Sequence, residues 1–201
     1  MKLKILSRNA EIHRKTKETD ILIEFNIDGK GSSQIDTGIK FLDHMLELFA
    51  KHGLFDMEIK CKGDLHVDQH HTVEDVGIAL GDAFREALGD MKGINRAGYF
   101  IFPMDESLAV SAVDISGRPY LSFDVKFSRE RIGDLDSELV EDFFQGFVNH
   151  LKASLHVKEM NGRTDHHKIE GVFKSVAKAM KTASSLDKRA LDELPSTKGL
   201  I

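Results

Sequence analysis

Asp68–Gly77 reads DQHHTVEDVG, and Thr164–Phe173 reads TDHHKIEGVF. Each carries two adjacent histidines and then a glutamate three places after the second; the first histidines stand 96 residues apart (166 − 70). Each cassette opens a segment of helical spacing; in the first, Val73, Val76, Leu80, Phe84 and Leu88 fall on one side. A cassette that recurs this way in 201 residues points to a duplicated half.

The surrounding elements recur in the same order. KLKILSRNA, EIHRKTKET and DILIEFNID alternate as three short strands. GIKFLDHMLELFAKHG then carries an apolar stripe through Phe41, Leu42, Met45, Leu48 and Phe49, closed by Gly53. LFDMEIKCKG alternates again, and the first cassette follows. In the second half GYFIFPM, ESLAVSAVDIS and RPYLSFDVKF are the strands. DSELVEDFFQGFVNHLKA is a helix, SLHVKEMNG a strand, and the second cassette starts the last helix. This predicts an α+β fold of two β-β-β-α-β-α halves, each a sheet with helices on one face. The halves are 1–92 and 93–201, joined at the glycine-rich GDMKGINRAG and packed as one compact unit. The polar tail LDELPSTKGLI reads at this level as a frayed end.

Composition narrows the function classes. Hydrophobic residues at 41% and charged residues at 30% fit a soluble domain with a real core. The net charge of −5 argues against a nucleic-acid partner, which usually demands a basic excess. Cys61 is the only cysteine, so no disulfide forms within the chain, and a reducing, cytoplasmic location is expected. The N-terminal stretch has no long apolar run, so neither a signal peptide nor a membrane span is expected. The ten histidines cluster, five between His44 and His71 and four between His150 and His167.

Helical geometry gives the cassettes a consequence. Residues four apart share a face, whereas neighbours diverge by about 100°. His70 with Glu74 can therefore grip one ion while His71 points toward another, and His166, Glu170 and His167 repeat the arrangement. If the two helices faced each other, one site would take His70, Glu74 and His167, and the other His166, Glu170 and His71. His44 and Asp142 are equivalent on the preceding helices, and each can complete one site. Nitrogen and carboxylate donors without thiolate suit manganese, iron or zinc. One such cassette alone is better explained as solvated helix-start residues; two at equivalent places favour metal.

FLDHMLELFAKHGLFD, HHTVED, KGINRAG, SGRPYL, DHHKIEGVFK and PSTKG together resemble the imidazoleglycerol-phosphate dehydratases, in that family's order and across nearly the whole chain. The resemblance implies a duplicated half like the second domain of ribosomal protein S5. It also implies two manganese ions per chain and a 24-subunit homo-oligomer built from trimers, with sites shared between subunits. One ion would take His44, His71, His166 and Glu170; the other His70, Glu74, His167 and position 142, where relatives often carry histidine and this chain has Asp142. Glu18 matches the family's acid/base glutamate; read alone it is an exposed strand carboxylate. Arg96, Arg118, Lys174, Ser196 and Lys198 match its phosphate-binding positions, which would make the tail functional. Asp105 matches a recurrent segment too, although a turn-capping role serves equally. The implied reaction turns imidazole glycerol phosphate into imidazole acetol phosphate and water, with metal withdrawing electrons from the imidazole ring.

Three rivals come from other classes. TDHH superficially matches manganese phosphoesterases, whose further aspartates would have to include Asp134 and Asp136 of DLD. A histidine-rich storage shell would need no phosphate cations. An RNA-binding module rests on fold alone and conflicts with the charge.

Overall fold

The computed structural model describes residues 8–201. The first half runs β1 (Asn9–Lys15), β2 (Thr19–Asn26), β3 (Ser33–Asp36), α1 (Lys40–Gly53), β4 (Asp56–Gly63) and α2 (His70–Leu88). The second runs β5 (Ala97–Met104), β6 (Ser107–Asp114), β7 (Tyr120–Asp124), a small hairpin of β8 (Arg131–Ile132) and β9 (Leu135–Asp136), α3 (Leu139–Leu151), β10 (Ser154–Asn161) and α4 (Asp165–Ser184). The α+β duplication is present. The sheets have the orders β1-β2-β4-β3 and β5-β6-β10-β7, the same plan twice. In each, the last-named strand lies parallel to its neighbour, to which the chain passes through a helix.

Two expectations shift. KLKILSRNA falls mostly outside the described residues; its last two residues and EIHRK form the single strand β1. The third strand is instead β3, whose sequence SQID leaves three of four residues exposed and so shows no alternation.

Alternation places Ile21, Ile23, Phe25, Met57 and Ile59 on the inner face of the first sheet, all buried. The helices lie between the sheets: α2 packs on α3, and α1 on α4. Phe84 of α2 joins these layers, its ring centroid 4.4 Å from Phe25, 4.9 Å from Phe55 and 5.6 Å from Phe147 of α3.

The α2–α3 contact is close because both helices present glycine there. A Cβ on Gly146 would stand 2.8 Å from the Glu74 carbonyl oxygen, and one on Gly77 would overlap that of Phe143. Gly77→Ala should gain about 1 kcal/mol of helix propensity. It should lose about 1–3 kcal/mol to overpacking, because the obstacle is backbone and cannot rotate away. The net expectation is a lower denaturation midpoint in urea, with α3 displaced from α2.

The tail is not frayed. Gly93 N–H donates to Glu193 O at 2.9 Å, Ser196 Oγ to Leu200 O at 2.8 Å, and Ile201 packs on Gly117. Among the described residues, no helix is long and apolar enough to cross a membrane.

Candidate active site

The first turn of α4 presents His166 and Glu170 on one face, and α1 brings His44 to it. Glu170 Oε1 lies 2.8 Å from His166 Nε2 and 3.5 Å from His44 Nε2, and the three donors fall within 4.8 Å of one another. Donors on a common ion with bonds near 2.1 Å lie no more than about 4.3 Å apart, so this triad can close on one ion with little movement. The other carboxylate oxygen, Oε2, accepts from the buried ammonium of Lys174. Burial pushes the Glu170 carboxyl up, but the hydrogen bonds from Lys174 and His166 outweigh it and hold Glu170 below its ordinary value. Lys174 also lies 5.7 Å from the Phe102 ring centroid and 3.3 Å from Met104 Sδ.

The repeat supplies a second, looser set of three on α2 and α3, which does not converge on one point as the first does because its two carboxylates face opposite nitrogens of the His70 ring. His70 Nδ1 lies 3.5 Å from Asp142 Oδ2, and His70 Nε2 lies 3.6 Å from Glu74 Oε2. Ile78 stands four residues after Glu74, where Lys174 follows Glu170, so among the described residues no ammonium holds this carboxylate. The Glu74 side chain is accordingly 45% exposed against 9% for Glu170. The small hairpin braces both helix starts: Asp134 accepts from the Lys40 and Phe41 N–H groups, each at 2.8 Å, and Gln69 Oε1 accepts from Asp136 N–H at 3.2 Å. Asp134 thus caps α1 and Asp136 pairs with Arg131, which leaves neither to serve a phosphoesterase centre.

His71 and His167 join neither triad within the chain. Within one chain the cassette helices do not face each other: α2 faces α3 and α4 faces α1. His71 Nδ1 lies 3.1 Å from Asp64 Oδ2, and its Nε2 lies 3.8 Å from Glu18 Oε1. The Asp64 hydrogen bond raises the His71 pKa, with Glu18 adding to it. His167 Nδ1 lies 2.8 Å from Glu106 Oε2, and its Nε2 lies 4.0 Å from Asp105 Oδ2. The His167 contact holds the Glu106 carboxyl well below the usual range. Sequence reasoning missed Asp64 and Glu106; the available signal was that Glu106, like Glu18, directly precedes the first buried residue of its half's second strand.

The expected phosphate cations divide. Arg96 adopts φ 68° and pairs with Asp114 at 2.7 and 3.0 Å, while its Nη1 donates to Pro195 O at 3.0 Å. Ser196 and Lys198 follow in the same tail, and Ile201 lies on the Gly117–Arg118 turn. This group sits at the far end of α4, since Arg96 N–H donates to Ala183 O. The seventeen helical steps from His166 to Ala183 span about 25 Å. Lys174 lies instead beside Glu170.

Histidines outside these groups are engaged elsewhere: His13 with Asp20, His150 with Asp82, and His156 against Tyr120. His52 lies edge-on to Phe102, and burial, then Lys174 and Lys178, lower its pKa.

A family model described as imidazoleglycerol-phosphate dehydratase matches residues 37–180. The chain is 57% identical over 194 residues to the enzyme of that name from Koribacter versatilis, covering 96% of this chain and all of that one. It is 53% identical to the one from Gluconobacter oxydans, covering 97% and 98%. The crystal structure of the Staphylococcus aureus dehydratase superposes with a TM-score of 0.81 at 38% identity, over 89% of this chain and 99% of that one. The structure from Pyrococcus furiosus, in complex with (S)-C348, superposes at 0.82 with 36% identity, over 94% and 100%. The chain belongs to the imidazoleglycerol-phosphate dehydratase family, the hydro-lyases of histidine biosynthesis.

Proposed function

We propose that the chain dehydrates imidazole glycerol phosphate to imidazole acetol phosphate at a two-manganese site assembled between copies of itself. The observation that carries this reading is the His44, His166 and Glu170 triad, two imidazoles and a carboxylate already converged on one point. Neutral imidazoles and carboxylates without thiolate suit manganese. His44, His71, His166 and Glu170 would hold one ion, and His70, Glu74, Asp142 and His167 the other. Bound metal supplies Lewis-acid withdrawal of electrons from the substrate's imidazole ring.

Glu18 takes the carbon-bound proton; the released pair forms a carbon–carbon double bond as the hydroxyl departs. A proton delivered to that hydroxyl completes the water, and the enol then becomes the ketone. Glu18 is suited to this work because its side chain is half exposed and stands beside the ligand His71. Arg96, Arg118, Ser196 and Lys198 bind the phosphate, where an arginine fork matches the anion. Lys174, engaged by Glu170, serves first to hold that ligand, and the phosphate role expected for it stands second.

Sharing between subunits is supported by two observations. Each triad lacks its fourth ligand within the chain, and the arginine group stands about 25 Å along α4 from His166. The outer face of the second sheet also exposes Tyr99, Ile101, Tyr120 and Met160, an apolar surface that a trimer-based 24-subunit shell can cover. Residues 1–92 and 93–201 act as one unit in this reading, because each triad draws on both halves. The lone thiol Cys61 suits a cytoplasmic location, and the charge of −5 leaves nucleic acid without a counterpart.

Chelated protein should be inactive in an assay following imidazole acetol phosphate. Manganese should restore it at two ions per chain; a single ion at saturation would remove the two-site reading. Affinity should fall with acid, since protons compete for imidazole nitrogen, and at His71 this begins above the ordinary value of about 6.5. Asp142→Ala should loosen one ion selectively, and Asp142→His should keep both and preserve activity. Unaltered affinity for both ions in Asp142→Ala would put Asp142 outside the coordination shell.

A further inference from the structure

The two histidines left outside the triads share a geometry. Each turns Nδ1 toward one carboxylate, and each leaves Nε2 with no hydrogen-bond partner among the described residues. His71 Nδ1 stands 3.2 and 3.1 Å from the two oxygens of Asp64, and His167 Nδ1 stands 2.8 Å from Glu106 Oε2. The opposite nitrogens face Glu18 and Asp105 at 3.8 and 4.0 Å, beyond hydrogen-bonding range. We infer that Asp64 and Glu106 are positioning residues that fix His71 and His167 as Nδ1-protonated imidazoles and so hold each Nε2 free to ligate. This deepens the two-metal reading and rests on it.

The chemistry follows from what a carboxylate can do. An ionised carboxylate only accepts, so the ring nitrogen facing it must carry the proton. The neutral ring then has its lone pair on the other nitrogen, which is the one a metal takes. Glu106 is itself locked, because its second oxygen accepts from Thr164 N–H, just before α4, at 2.9 Å. Both of its oxygens are therefore committed to donors, which favours an orienting role over a metal site made of Asp105, Glu106 and His167.

The two halves reach the same end from different elements. In the second half the orienting carboxylate comes from the β5–β6 turn. The equivalent residue of the first half, in the β1–β2 turn, is Glu18; each directly precedes the first buried residue of the next strand, Thr19 or Ser107. Glu18 does not reach Nδ1 of His71, because Asp64 from the β4–α2 loop occupies it. The substitution of one orienting carboxylate by another releases Glu18 for proton transfer. Asp64 also sets where Glu18 stands, since its N–H donates to the Glu18 carbonyl at 3.0 Å. One residue thereby ties the ligand His71 to the acid/base group.

The test is manganese titration of the full chain by the paramagnetic signal of free ion, in wild type and variants whose folding is checked by circular dichroism. Asp64→Ala should weaken one ion by about 10–100-fold and Glu106→Ala the other by a similar factor. Asp142→Ala identifies which is which: combined with Glu106→Ala it should leave one ion tight, and combined with Asp64→Ala it should leave none. Asp64→Asn and Glu106→Gln keep an accepting oxygen and should recover most of the affinity; they also stand in if an alanine variant fails to fold. Wild-type affinities throughout would overturn the inference, as would variants that loosen both ions alike, the mark of a merely structural role. Failure of wild type to bind two ions would instead overturn the two-metal reading beneath it.

Discussion

Glu18→Gln should lower turnover by about 10²–10⁴-fold, the usual contribution of a positioned acid/base group, while leaving manganese content and the Michaelis constant nearly unchanged. The amide keeps the shape of the side chain and loses only its capacity to carry a proton. Its surroundings are built to hold it still. Thr16 Oγ1 accepts from the Glu18 N–H at 3.1 Å, and the Glu18 carbonyl accepts from Asp64. The next residue, Thr19, donates to Asp75 of α2, which also accepts from Arg14 at 3.0 and 2.7 Å. The β1–β2 turn is therefore fastened to the helix that carries His71 on both sides of Glu18. Placement of this quality is what a proton transfer to or from a fixed substrate carbon requires. Turnover within a few-fold of wild type would return Glu18 to the role of an exposed strand carboxylate and send the search for the proton carrier elsewhere.

The two kinds of helix were legible because their signals are local. Phe41, Leu42, Met45 and Phe49 bury one face of α1 completely or nearly so, and the sequence spaces them accordingly. β2 is equally plain, since its inner residues alternate without a break. β3 is not, because an edge strand with three exposed residues has no buried face to advertise. The same division runs through the site. Pairing of His166 with Glu170 is a consequence of four-residue spacing and could be read from the cassette. Which helix faces which is decided by packing far apart in sequence, and glycines such as Gly77 and Gly146 give the α2–α3 contact its closeness. Expecting α2 to face α4 was reasonable for a repeat, yet the fold swaps partners across its pseudo-symmetry axis. Asp64 escaped notice because its role depends on the β4–α2 loop folding back, and no periodicity encodes that.

His71→Ala and His166→Ala chains, each inactive alone, should regain measurable turnover when dissociated together and reassembled with manganese. The first chain keeps His44, His166 and Glu170 but cannot offer the missing histidine; the second keeps His71 but has a broken triad. Where an intact triad from one meets an intact His71 from the other, the first ion regains all four ligands. The second ion is unaffected in principle, because His70, Glu74, Asp142 and His167 are present in both. Separation within the chain is what makes two chains necessary. His71 is held by Asp64 beside the β1–β2 turn, and no described cluster brings its Nε2 to the His44, His166 and Glu170 triad. A rearrangement large enough to bring them together inside one chain would have to part α2 from α3, whose contact includes the buried rings of Phe84 and Phe147. Exposing one such ring costs about 1.5–3 kcal/mol, so the two cost about 3–6 kcal/mol, a large share of a domain's net stability of about 5–15 kcal/mol. Association of separate chains requires none of this. Reassembled mixtures with no activity above the two single variants, despite full manganese loading of reassembled wild type, would overturn the sharing of the centre that takes His71.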